Sequence, residues 1–119
     1  MKQDEFQAVL DRRIEQTGKT LAGKGTEYGS DSDRLHNFKA AGRMLNITPE
    51  KALEGMLAKH LVSVQDIVAR VENGGNMPSQ AVIDAKIGDC INYFILLEAL
   101  LTERRESEIA RKTPEPAQG

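Results

Sequence analysis

Thr48-Pro49-Glu50-Lys51-Ala52-Leu53-Glu54-Gly55-Met56-Leu57-Ala58-Lys59-His60-Leu61-Val62-Ser63-Val64-Gln65-Asp66 decides the fold. A threonine at the N-cap, a proline at the first helical position and a glutamate in the first turn together open an α-helix. Beyond that start, Leu53, Met56, Leu57, Val64, Ile67, Val68 and Val71 recur on one broad face at helical spacing. The helix therefore runs to about Glu72 and stops at Asn73-Gly74-Gly75.

The remaining segments read the same way. Residues 3–22 form an amphipathic helix carrying Phe6, Val9, Leu10, Ile14 and Leu21, weakened by Gly18 and ended by Gly23 and Gly25. A loop rich in Gly, Ser and Asp follows, Thr26 to Arg34, and a short helix fits 33–45 with Leu35, Phe38, Ala41, Met44 and Leu45 facing inward. Asp33 suits the N-cap of that helix. Pro78-Ser79 caps a last helix from 79 to about 110. No period-two strand pattern occurs, so the expected fold is all-α: a four-helix, bundle-like, antiparallel domain over 1–112. The Pro-rich polar tail 113–119 is expected to be disordered.

Composition narrows the function. With 119 residues, four per cent aromatic content and no Trp, the chain makes one domain with an aliphatic core. A formal net charge of −2 argues against a duplex nucleic-acid clamp, which requires a concentrated basic face. A single cysteine, Cys90, forms no intramolecular disulfide and points to a reducing compartment. The polar start Met1-Lys2-Gln3-Asp4-Glu5 is not a signal peptide, and the apolar run from Cys90 to Leu101 is too short to span a bilayer. The expectation is a soluble, cytoplasmic protein with no membrane partner.

Polar groups where packing would choose Leu or Ala carry the functional signal. On the helix opened by Thr48, Lys59, Ser63, Asp66 and Arg70 line up at i, i+4, i+7 and i+11, with His60 on the apolar face beside them. Two readings stand: a solvated edge with an Asp66–Arg70 helical ion pair, or one wall of a polar pocket. His60 reads either as a hydrogen-bonded core histidine or as a ligand. The last helix is apolar in almost every direction between Ala81 and Leu101, with Gln80, Asp84 and Glu98 as its wet edge. Asp89 and Asn92 lie away from that edge, with Lys86 a turn before and Tyr93 a turn after Asp89. An Asp inside such a helix needs a cation, a donor or a metal, so it marks a structural pair or a site. A helix apolar all round also implies a second subunit, covering Ile83, Cys90, Phe94 and Leu101.

As a set, these motifs resemble the MazG-like all-α nucleoside triphosphate pyrophosphohydrolases, particularly small phage-encoded relatives, over roughly residues 24–103. The resemblance rests on Glu27-Tyr28-Gly29, then Asp33-Arg34-Leu35-His36-Asn37-Phe38-Lys39, then Thr48-Pro49-Glu50 opening a helix with Lys59-His60, and finally Asp89-Cys90-Ile91-Asn92-Tyr93. It implies a MazG-like helical fold in a bacterial host's cytoplasm, a nucleotide ligand, Mg²⁺ held by acidic residues on facing helices, and a dimer or tetramer. The family's metal helix carries Glu-x-x-Glu, followed later by Glu-x-x-Asp. Here the first motif reads Lys59-His60-Leu61-Val62-Ser63 with Asp66 a turn later, and the second reads Lys86-Ile87-Gly88-Asp89. Only Asp89 matches.

Carried onto this chain, the resemblance makes Asp66 and Asp89 the candidate Mg²⁺ ligands, close to the minimum of one or two carboxylates plus phosphates and water. His60 and Asp89 become the candidate catalytic pair. Tyr28, Arg34, Asn37, Lys59, Ser63, Lys86 and Asn92 become candidate nucleotide contacts, with the loop 26–37 closing over the ligand. Three functions remain open at this stage: a Mg²⁺-dependent (d)NTP pyrophosphohydrolase, a non-catalytic protein that sequesters a nucleotide such as a host signalling nucleotide, and a helical protein-interaction module.

Overall fold

The N-cap geometry foreseen at Thr48 is present: its Oγ1 accepts the Lys51 N–H at 3.1 Å, with Pro49 in the first helical turn. In the computed structural model, which describes residues 1–23 and 33–112, four helices and no strand occur among the described residues: α1 Gln3–Gly23, α2 His36–Leu45, α3 Pro49–Glu72 and α4 Gln80–Lys112. The tail 113–119 and residues 24–32, with Tyr28, lie outside the described residues.

Local chemistry sets each boundary. Asp33 Oδ1 accepts the Leu35 N–H at 2.9 Å, which forms a turn ahead of α2 rather than a cap on it, so the helix begins three residues later than expected. The Asp33 carboxylate also meets Lys39 Nζ at 2.7 Å, and Lys39 reaches Glu103 of α4 at 2.6 Å. The Lys39 hydrogen bond holds the Asp33 carboxyl below its ordinary value, and the Asp33 bond in turn raises Lys39. At the far end, Asn46 takes the left-handed conformation (φ 58°, ψ 44°) and Ile47 N–H returns to Gly42 O at 2.9 Å, so α2 and α3 form a tight antiparallel hairpin. Helix α3 ends at Asn73, and Ser79 Oγ accepts the Val82 N–H at 3.2 Å to cap α4.

Helix α4, about 50 Å long at about 1.5 Å per residue, is the spine. Helix α3 packs antiparallel to it, with Glu50 bonded twice to Arg104 at 2.8 Å near one end and His60 beside Asp89 further along. The Arg104 hydrogen bond keeps the Glu50 carboxyl below its ordinary value. The core forms where α2, α3 and α4 meet: Leu35, Phe38, Leu53, Leu57, Cys90, Leu96 and Leu100, flanked by Leu21, Met56, Val64, Tyr93 and Leu97. Burial pushes the Cys90 thiol up, away from the reactive thiolate.

Two further features depart from the sequence reading. Among the helices of the described residues, α1 packs chiefly on α4 and runs parallel to it, since Arg12 and Gln16 meet Asp84 while Thr20 shares a cleft with Asn92. Met44 and Leu45, read as inward, are 87% and 65% exposed. The returning chain covers the Gly42 side of that last turn and leaves their side open.

The hairpin depends on Gly42. A Cβ there would stand 2.8 Å from Ile47 O and 3.1 Å from Pro49 N, both backbone atoms with no freedom to yield. Gly42→Ala is expected to destabilise the fold by about 1–3 kcal/mol, as overpacking does, despite the gain in helix propensity. Urea unfolding followed by circular dichroism checks this, and equal or greater stability would contradict the close packing.

Candidate functional site

The all-round apolar character of α4 breaks at Gly88, Asp89 and Asn92, and there α1 lays polar rather than apolar side chains against it. Arg13, Gln16 and Thr20 from α1 face Asp84, Ala85, Gly88, Asp89 and Asn92 from α4 across a cleft of about 270 Å³.

Asp84 anchors the near end of this cleft. Its carboxylate accepts from Gln80 Nε2 at 2.9 Å and from Gln16 Nε2 and Arg12 Nη2, each at 3.4 Å. The Gln80 bond leads, followed by Gln16 and the Arg12 and Arg13 charges, in holding the Asp84 carboxyl below its ordinary value. Asp84 is therefore not the wet edge its sequence position indicated; α1 lies against it. Arg13 does something different from Arg12. Its Nη2 donates to the Asp84 backbone carbonyl at 2.9 Å, and its guanidinium lies directly over Gly88. Among the described residues Arg13 makes no salt bridge; its charge acts on Asp84 from a distance and its guanidinium borders the cleft.

Asn92 lines the same cleft and is 6% exposed, yet its Oδ1 is fully shielded and accepts no hydrogen bond among the described residues. Such an atom costs about 1–3 kcal/mol by mutational measures, and most buried polar atoms are paired. A second buried oxygen without a partner, Thr17 Oγ1, belongs to the helix that forms the other wall.

Asp89 sits on the border between this cleft and α3. Its Oδ2 is 3.5 Å from His60 Nδ1, long for a hydrogen bond but close enough for an ion pair once the imidazole is protonated. His60 stacks on Tyr93, ring centroids 4.9 Å apart, and Tyr93 meets Phe38 edge-on at 6.3 Å. The imidazole is thus held between the core and a carboxylate.

Of the residues singled out from sequence, the fold brings together His60, Asp89 and Asn92. Lys59 is exposed, and its carbonyl accepts from Ser63 Oγ at 3.1 Å. Asp66 is exposed and about 120° round the helix from His60, so it does not face the cleft beside Asp89. Lys86 is half-buried but not in the cleft lining, and Asn37 is exposed on α2. Arg34 donates to the Leu21 carbonyl, tying the start of α2 to the end of α1. Tyr28 and the rest of the expected lid up to residue 32 lie outside the described residues. Among the described residues, no group of three or more His, Cys, Asp or Glu side chains is placed to hold a metal ion.

Sequence reading missed Arg13, Gln16 and Thr20. Their signal was a line of polar residues, 13, 16 and 20, running alongside the apolar stripe of α1. Gly88 was the other clue, because glycine inside a long helix costs about 0.5–1 kcal/mol relative to alanine and so marks a close approach. No protein-family pattern, curated protein or solved structure matches the chain.

Gly88 separates site from scaffold. A Cβ there would fall 2.6 Å from Arg13 Nη1, the mobile end of a long side chain that can swing aside. Gly88→Ala is expected to leave thermal stability equal or higher while moving the guanidinium off the Gly88 backbone. A melting curve and a crystal structure of the variant check both halves, and a large loss of stability would mean that Arg13 is a structural clamp.

Proposed function

We propose that this protein binds a nucleotide in the cleft between α1 and α4. The observation that carries the reading is the cleft in which the Arg13 guanidinium, without a salt bridge among the described residues, and the buried amide residue Asn92 come together. A planar guanidinium suits a phosphate and a side-chain amide suits a base or sugar, the two parts of a nucleotide. The cleft volume, about 270 Å³, falls just below the range for small-molecule sites, about 300–1,000 Å³. The resemblance to MazG-like proteins, including their small phage-encoded relatives, points to the same ligand class.

Mg²⁺ enters this reading as an ion carried in with a phosphate, with Asp89 as its protein ligand. Asp66 is on another face and Asp84 is already engaged by Gln80, Gln16 and Arg12. Turnover is the second reading, favoured by the His60–Asp89 pair at the edge of the cleft. In it, Asp89 orients the imidazole and His60 takes a proton from the attacking water.

Thermal melting with a panel of nucleoside mono-, di- and triphosphates, with Mg²⁺ or with EDTA, tests binding; chromatography of the same mixtures tests turnover. A ligand at about 100 times its dissociation constant stabilises the folded state by about 2.7 kcal/mol, a shift of several degrees. No shift across the panel would remove the nucleotide reading.

We also propose that the chain works as a homo-oligomer. Phe6, Val9, Leu10 and Ile14 of α1 are 40–61% exposed, and Phe94 and Leu101 of α4 about half. The Cα radius of gyration is 18.8 Å, against about 13–14 Å for a compact chain of this length. A second copy of the chain would cover these faces. Light scattering is expected to give at least twice the chain's mass at micromolar concentration, and a clean monomer would exclude the assembly.

A further inference from the structure

We infer that two copies of this chain associate by antiparallel pairing of the C-terminal half of α4 with itself, an inference that rests on the homo-oligomer reading above. The spacing of one stripe, its exposure and its two charges argue for it.

Ile87, Ile91, Phe94, Glu98, Leu101 and Arg105 follow one another along α4 at alternating steps of four and three residues. That is the 3.5-residue period by which one helix meets another along a continuous seam. The neighbouring helices use other parts of α4. Leu96 and Leu100 join the core with Phe38 of α2 and Leu53 and Leu57 of α3, while Val9 and Arg12 of α1 lie beside Ile87 and Ile91. Further along, the stripe is open: Phe94, Leu101 and Ile109 are 51%, 50% and 47% exposed. Phe94, Leu97, Glu98, Leu101, Thr102 and Arg105 line a shallow groove there of about 320 Å³. At about 1.5 Å per residue the open stretch runs for about 20 Å, enough to seat several turns of a second helix.

The charges choose the occupant and its direction. Glu98 and Arg105 are exposed, and neither makes an ion pair with another described residue. A parallel copy would set Glu98 beside the partner's Glu98 and Arg105 beside the partner's Arg105, and like charges juxtaposed at an interface repel. An antiparallel copy, turned about a twofold axis between Leu101 and Thr102, sets each Glu98 opposite the partner's Arg105. The same axis brings Leu101 to the partner's Leu101 and Phe94 toward the partner's Ile109. The stripe is therefore complementary to itself in one direction only, as a twofold interface requires. Charged groups within an apolar seam weaken it but fix its register, which gives Glu98 and Arg105 a role on either side of Leu101.

Sedimentation equilibrium of the natural chain, Glu98→Arg, Arg105→Glu and the double variant tests the inference. The natural chain is expected to dimerise, and each single reversal to raise the dissociation constant about tenfold or more by placing like charges face to face. The double variant is expected to recover most of that loss. Circular dichroism, expected to be the same for all four proteins because both side chains are exposed, separates lost pairing from lost folding. A dimer indifferent to both single reversals would overturn the α4 pairing and leave the homo-oligomer reading standing, with Ile14→Glu then locating the contact on α1. Single reversals that weaken the dimer without recovery in the double variant would overturn the antiparallel direction. A natural chain that stays monomeric would remove this inference and the homo-oligomer reading together.

Discussion

Helix α4 must hide an apolar surface that extends almost all the way round its axis, and the rest of the molecule follows from how that surface is covered. Helix α3 covers one side with Leu53, Leu57 and Val64, helped by Leu35 and Phe38 at the start of α2. Helix α1 covers another side, and does so with arginine, glutamine and threonine as well as Val9 and Leu21. Apolar covering makes a core, while polar covering leaves a cleft. Phe94 and Leu101 remain about half exposed, so the covering is incomplete within one chain.

The helices themselves were legible because their punctuation is local. Thr48-Pro49-Glu50 and Asn73-Gly74 bracket α3, and Ser79 starts α4 within a residue of its expected position. What sequence could not show was which helix lies against which. Pattern placed α1 in an antiparallel bundle, yet among the described residues it lies parallel to α4 and apart from α3. Asp84 looked solvated because its own helix provides only Gln80; its other partners, Arg12 and Gln16, come from 68 or more residues away. Met44 and Leu45 have the right periodicity for a core, but the chain folds back over Gly42 instead of over them.

The candidate site was half legible for the same reason. Asp89, Asn92 and His60 stood out as polar groups in apolar helices, and the fold does bring Asp89 to His60 and Asn92 to a cleft. The opposite wall did not stand out. Arg13 is an ordinary residue of an amphipathic helix until Gly88, 75 positions on, lets its guanidinium settle on the backbone. Lys59 and Asp66 stood out equally and are simply exposed. A polar residue at helical spacing announces an exception to packing; only tertiary contact decides whether the exception is filled by water, an ion pair or a ligand.

The central claim is that Asn92 is kept for a ligand and against the interest of the fold. Urea unfolding of Asn92→Leu tests it most directly, because leucine removes the unpaired oxygen and grows into the cleft. The account predicts stability equal to or above that of the natural chain, since an unsatisfied buried oxygen costs about 1–3 kcal/mol. A loss of about 1 kcal/mol or more would contradict it and make Asn92 a structural residue.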